Sequence, residues 1–235
     1  MPRIEAEQCT PIQVYSLGGS TLFPKDQPGL NINFFNRLRP FLEEQAHQDR
    51  AVIAFIGGGQ IARDRQEAAR AVGVVNQTSI DKFGIFITRH NALFIKDLLA
   101  ELGLNTRAYK YQQVKPGIIY LRGGTDPGHT TDYGAVDAAR QNNIKYVFNI
   151  SNTPGVHPFR PDGSYDDSII VPDMTYDNLI PHLAEHTPGH NAPIDKPAAI
   201  LARDNGIIYV SLGMDMTNLA ACLCGEEFVG TILYP

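Results

Sequence analysis

Short apolar runs recur along the chain, and polar, helix-patterned stretches separate them. Residues 12–17, 51–56, 117–121, 145–150, 207–212 and 229–233 each read as strands, and residues 106–111 as a further one. The run Ala51-Val52-Ile53-Ala54-Phe55-Ile56 has no polar alternation, as expected of a strand covered on both faces. Helical spacing appears over residues 34–48, where Phe34, Phe35, Leu38, Phe41 and Leu42 share a face; Pro40 predicts a kink or break there. A second helix carries Ile61, Ala62, Ala68, Ala69 and Val72, and a third spans residues 83–102 with Asp81 as its expected cap. Shorter helices follow at 134–141, 195–203 and 216–224. Another helix is expected to open at Asp173-Met174-Thr175-Tyr176 and to end near Pro188-Gly189; residues 158–167 read as a hairpin or irregular loop. Alternation of strand and helix along the whole chain predicts a three-layer α/β/α sandwich with a central, mostly parallel sheet.

Glycine and hydroxyl residues concentrate where the strands end. Gly18-Gly19-Ser20 follows the first strand, Gly57-Gly58-Gly59 the second, and Gly123-Gly124-Thr125-Asp126-Pro127-Gly128-His129-Thr130-Thr131-Asp132 a later one. Loops that pass from a strand into a helix present unpaired N–H groups and the positive end of a helix dipole, a setting suited to an anion. Arg63 and Arg65 occupy the first turns of the helix after the triple glycine. A cation is electrostatically misplaced there unless it shares an anion with the backbone. The plainer readings are tight turns capped by Thr and Asp, and solvated arginines.

Composition narrows the field. The net charge of −5 argues against a broad nucleic-acid surface. No apolar run is long enough to span a bilayer, and the polar start Met1-Pro2-Arg3-Ile4-Glu5-Ala6-Glu7 lacks a signal-peptide core, so a cytoplasmic setting is expected. The three cysteines, Cys9, Cys222 and Cys224, fit a reduced compartment. His182, His186 and His190 are spaced by four, but Pro188-Gly189 interrupts the helix that would align them, so a surface pair or lid competes with a metal site and no metal ligands are assigned. Arg89, His90 and Asn91 lie mid-helix and face a cleft, a subunit partner or solvent.

The chain contains no G-x-x-x-x-G-K-[ST] phosphate loop. Gly57-Gly58-Gly59-Gln60-Ile61-Ala62 matches a dinucleotide fingerprint loosely, but its acidic partner would be Asp81, at a helix start and not at a strand end. Taken together, the glycine loops, Asp81 through Gly84, Ile87-Thr88-Arg89, Asn91-Ala92 and residues 123–132 resemble the uridylate kinases of the amino acid kinase family, and the archaeal type most closely. The resemblance is strongest over residues 12–137 and continues more thinly to Gly225-Glu226-Glu227 and Gly230-Thr231-Ile232.

That resemblance implies a single structural domain with one continuous sheet, residues 1–143 serving the acceptor UMP and residues 144–235 serving ATP. It implies transfer of the γ-phosphoryl of Mg2+-bound ATP to UMP. Gly58, Asp81, Thr125, Gly128, His129, Thr130 and Thr131 would hold UMP, with Asp81 on the ribose hydroxyls. Gly19, Ser20, Gly59 and Arg63 would meet the phosphates, and Ser151, Asn152, His157 and Arg160 would lie on the ATP side. Arg63, Asp132 and Asp195 would form the catalytic centre. A homo-oligomer is implied as well, a hexamer built as a trimer of dimers, with helix 83–102 at a contact.

The donor half departs from the family pattern. Pro154 replaces a loop aspartate, His157 a tyrosine and Arg160 an aspartate; Gln60 and Ile200 stand where lysines are frequent, as does Ser16, though archaeal uridylate kinases also lack that first-strand lysine. Lys25, Lys196, Arg63 and Arg160 are the cations at hand to compensate. A second reading follows from these departures: a kinase-like nucleotide- or oxyanion-binding protein, a sensor or a molybdate-storage relative, with weakened or lost catalysis.

Overall fold

The computed structural model describes residues 1–5, 10–27, 29–111, 113–158, 166, 168–184 and 193–235. Its eight strands are β1 Ile12–Leu17, β2 Ala51–Ile56, β3 Thr106–Ala108, β4 Ile119–Arg122, β5 Tyr146–Ile150, β6 Asp173–Thr175, β7 Ile208–Leu212 and β8 Gly230–Tyr234. The helices are α1 Gly19–Leu22, α2 Ile32–His47, α3 Gly59–Ala71, α4 Gln77–Glu101, α5 Thr131–Gln141, α6 Tyr176–Leu179, α7 Lys196–Asp204 and α8 Met216–Leu223. The strands form one sheet in the order β3-β4-β2-β1-β5-β7-β8-β6, parallel throughout except for β7 against β8. The expected sandwich is therefore present, with one apolar layer on each face of the sheet. Tyr15, Leu17, Phe34, Ile56, Phe148 and Leu212 mark one layer; Val14, Phe55, Val147, Ala198 and Tyr209 mark the other.

Burial of the central strands follows from the sequence pattern. Every residue of β2 and β5 is buried, which is why those runs lack alternation. One polar position interrupts the apolar strands at matching depth. Ser16 pairs with Asn149, Asn149 with Ser211, and Ser211 with Thr231, and all four are buried. This polar row crosses the middle of the sheet one residue short of the strand ends in β1, β5 and β7.

Three local expectations are corrected. Residues 32–47 form one unbroken helix despite Pro40; Pro40 and Asn36, the residue whose carbonyl loses its partner, are both exposed, so water satisfies that carbonyl. The helix expected at residue 83 begins at Gln77, capped by Asn76, whose side chain accepts the Ser79 N–H at 2.9 Å. Its first turn is polar and has no apolar stripe to betray it, so Asp81 lies inside the helix and is not its cap. Residues 173–175 form β6 beside β8. Only a short helix and a 3-10 turn at Ile180–His182 follow, Thr175 capping the helix; the expected end near Pro188-Gly189 lies outside the described residues.

Candidate functional site

The parallel strands β1, β2, β4, β5 and β7 all end on one edge of the sheet. Chain direction reverses its lateral progress at β1, which has β2 on one side and β5 on the other. In open α/β sheets a crevice opens at such a switch point. Here the tips of β1 and β2 touch. A Cβ on Gly19 would lie 2.0 Å from the Gly59 nitrogen, and one on Gly57 2.3 Å from the Gly19 nitrogen, so only glycine lets the two loops meet. Gly59 also takes a left-handed φ of 66°. Some tip amides are already used: Gly18 N–H donates to the Ile150 carbonyl at 2.8 Å, and Gly57 N–H to the Leu17 carbonyl at 2.9 Å. Those of Gly19, Ser20 and Gly59, in the first turns of α1 and α3, have no intrahelical acceptor.

These tips open onto a cavity of about 140 Å³ lined by Gly58, Gly59, Arg63, Asp81, Thr130 and Thr131 among others. Gln60 and Ser20 hold the Arg63 guanidinium: Nε donates to Gln60 Oε1 at 3.1 Å, and one terminal nitrogen to Ser20 Oγ at 3.2 Å. Arg65, two residues on, is exposed and does not line this cavity, so the solvated reading holds for it. Asp81 is buried, and its Oδ2 accepts the Gly128 N–H at 2.7 Å. His129 lies on the cavity wall with its ring stacked on Tyr133, centroids 4.0 Å apart. Thr125 does not line this cavity, and its carbonyl accepts from the Arg89 guanidinium.

One face of α4 supplies the opposite wall. Asp81, Gly84, Ile85 and Thr88 line the cavity at helical spacing, and Asn91 continues the stripe. Thr88 Oγ1 accepts the Gly124 N–H at 2.7 Å, Arg89 Nε donates to the Gly124 carbonyl at 3.0 Å, and Asn91 Nδ2 donates to the Gly57 and Gly58 carbonyls at 3.0 and 3.2 Å. The mid-helix trio is thus split: Arg89 and Asn91 tie down the glycine loops after β4 and β2, while His90 is exposed. Sequence reasoning assigned none of Thr88, Arg89 and Asn91 to the site. The signal for them was their place seven, eight and ten residues after Asp81 on the same helix.

Deeper in the crevice, two carboxylates meet around Thr130. Ser16 Oγ donates to Asp132 Oδ1 at 2.6 Å, and Thr130 Oγ1 accepts the Asp132 N–H at 3.1 Å as the cap of α5. Thr130 turns its amide, at 3.2 Å, and its hydroxyl toward Asp195 Oδ2. Asp195 Oδ1 caps α7 by accepting the Ala198 N–H at 3.0 Å. Burial, and next the Asp195 charge, push the Asp132 carboxyl up to about 6. Hydroxyls alone make the side-chain hydrogen bonds that reach Asp132 from the described residues.

The donor-side residues are not gathered into the same cavity. Ser151 and Asn152 follow β5; the Ser151 N–H is bonded to the Leu212 carbonyl at 2.9 Å, and Asn152 is exposed. A ring nitrogen of His157 bonds the Ile169 carbonyl at 2.7 Å. Pro154 packs over Gly213 at the end of β7. Arg160, His186, His190 and Cys9 lie outside the described residues. His182 is exposed on its 3-10 turn, and no group of three or more His, Cys, Asp or Glu able to hold a metal exists among the described residues.

The fold and the loop geometry can now be compared with known proteins. The model of the amino acid kinase family matches residues 11–210. This chain belongs to the amino acid kinase family. Relatives of similar length include the uridylate kinase of Methanocorpusculum labreanum, 29% identical over 94% of both chains, and that of Methanococcus vannielii, 28% identical over 94% of this chain and 99% of its own. Among solved structures, the uridylate kinase of Archaeoglobus fulgidus superposes with a TM-score of 0.72 at 25% identity, covering 94% of this chain and all of that one. The UMP kinase of Bacillus anthracis, at 20% identity and a TM-score of 0.74, shares the fold over the full length of this family member.

Proposed function

We propose that this protein is a nucleoside monophosphate kinase that transfers the γ-phosphoryl of ATP to UMP. One observation carries the reading: a single cavity at the strand tips unites Gly58, Gly59, Arg63, Asp81, Thr130 and Thr131. Phosphoryl transfer asks a protein chiefly for in-line positioning and for donors aimed at the moving charge. The first-turn amides and Arg63 supply donors for phosphate oxygens, and Asp81 supplies an acceptor for ribose hydroxyls while its Oδ2 holds Gly128 in place. Asp132 and Asp195 organise the transfer centre. Residues 1–143 serve the acceptor and 144–235 the donor, through Ser151 and Asn152 at the end of β5. Uridylate kinases of full-length similarity support the choice of UMP over other phosphorylated acceptors. Nothing in the geometry favours a storage or sensor role.

Mg2+ would travel on the phosphates of ATP. The described residues offer no closed cage for a metal, which suits an ion that keeps its waters and binds mostly through substrate phosphates. There it would neutralise charge on the transferring group.

Self-association fits the surface of α4. Phe83, Phe86 and Phe94 are exposed at helical spacing, an apolar stripe that a second copy would cover as one step toward a hexamer. No described helix is long and apolar enough to cross a membrane; a cytoplasmic enzyme is consistent with that and with the acidic net charge. The test is a coupled assay with UMP, ATP and Mg2+ on folded protein. UDP and ADP appearing in equal amounts support the proposal; ADP without UDP, or neither product, rejects it.

A further inference from the structure

The polar groups around Asp132 do not balance. Asp132 and Asp195 place four carboxylate oxygens in a small interior space. Thr130 has one hydroxyl hydrogen, and with its amide it faces Asp195 Oδ2. The same hydroxyl also lies 3.1 Å from Asp132 Oδ2, and its single hydrogen serves one carboxylate at a time, so the Ser16 hydroxyl is the one side-chain donor that Asp132 does not share with Asp195. Facing the same carboxylate from β7 is Tyr209, fully buried, with a hydroxyl that adjoins Asp132 but makes no hydrogen bond of good geometry in this structure. A buried phenol without a partner is costly, and so is a buried carboxylate short of donors. A hydrogen bond between the two would satisfy both.

We propose that Tyr209 is a positioning residue of the transfer centre, its phenol donating to Asp132 so that the carboxylate stays charged and fixed between Ser16 and Thr130. The groups that face Asp132 are Ser16 from β1, Thr130 from the loop before α5, Asp195 from the start of α7 and Tyr209 from β7. Three are neutral and one is negative. Burial and the neighbouring Asp132 raise the Tyr209 phenol well above its ordinary range, so it remains a proton donor at every working pH.

The catalytic part of this inference rests on the kinase reading; the contact between Tyr209 and Asp132 does not. The test uses the full chain and the variant Tyr209→Phe, which removes one oxygen and keeps the ring. Urea unfolding is followed from pH 4.5 to 8.5. Without its donor Asp132 holds a proton to higher pH, so the pH-dependent fall in stability, which begins at the unfolded-chain value in both proteins, should extend about one unit further up in the variant. In an Asp132→Asn background the same substitution should show no pH dependence. With 3-fluorotyrosine at position 209, a stronger donor, the fall should move the other way, which keeps the test open should Tyr209→Phe fold poorly. In UMP-kinase assays the acid limb of kcat/KM should move up in Tyr209→Phe by the same amount, the ionisation of UMP being common to both proteins. Unchanged pH courses overturn the inference. A shifted stability curve in a protein that makes no UDP overturns the kinase reading and leaves the contact standing.

Discussion

Replacing Asp132 by Asn should make the protein more stable at neutral pH and leave it without useful transfer activity. The carboxyl sits at about 6, against an ordinary value of 3.8, because burial and Asp195 oppose its charge. Two units correspond to about 3 kcal/mol of differential stability. The sign follows from proton uptake. Between those two values the folded protein holds a proton that the unfolded chain has released, so stability falls as pH rises through the window and the full cost is present above it. Asparagine is neutral throughout and removes that cost. Against the gain stand the loss of a negative charge in the first turn of α5, about 0.3–1 kcal/mol, and a weaker bond from Ser16, about 1 kcal/mol. The net expectation at pH 7.5 is ~1–2 kcal/mol, a rise in Tm of roughly 2–8 °C for a chain of this size. At pH 4 the gain should vanish. Urea or thermal unfolding of both proteins at the two pH values measures it. A stability difference that does not change with pH would refute the placement of an uncompensated carboxylate in this crevice. Activity should fall in the same variant by about 10²-fold or more, as for removal of an electrostatic group from a preorganised centre.

Other substitutions probe the remaining parts of the site. Arg63→Ala should lower kcat/KM for UMP by ~10²–10³-fold, with a change in Tm within the range of a surface substitution, since its partners are Ser20 and Gln60 and not the core. Gly19→Ala would drive a methyl into the Gly59 nitrogen and the Gly57 carbonyl carbon; the β1 and β2 tips must separate, and circular dichroism melts should show a loss of several kcal/mol, on the order of ~3 or more. Asn91→Ala leaves the carbonyls of Gly57 and Gly58 without their side-chain donor, for an expected cost of ~1–3 kcal/mol and a higher KM for UMP. Phe86→Glu should reduce the oligomer mass in light scattering without altering the far-UV spectrum.

The architecture was legible because the strongest periodic signals were also the structural ones. The apolar runs became strands, and the glycine loops between strands and helices fell on one edge of the sheet because parallel strands leave no other place for them. That Gly58, Asp81, Thr130 and Thr131 line one cavity has the same cause: their strands and helices adjoin. Less visible were the groups that support them. Thr88, Arg89 and Asn91 act through backbone carbonyls and amides of loops distant in sequence, which only tertiary pairing reveals. Ser16, Asn149, Ser211 and Thr231 each looked like an isolated polar residue in an apolar strand; strand register alone makes them one row. The bond from the His157 ring to the Ile169 carbonyl likewise joins residues twelve apart that no local pattern pairs. Asp81 was read as a cap because the polar turn before it carries no hydrophobic stripe.

The central claim is that the strand tips grip a phosphate together with a ribose. Calorimetric titration with UMP and, in parallel, with uridine tests it most directly, because the two ligands differ only in the group that the tips and Arg63 should hold. The account predicts saturable binding of UMP, uridine weaker by about 10²-fold or more, and loss of that preference in Arg63→Ala. Equal affinity for the two ligands, or no binding of UMP by folded protein, would contradict it.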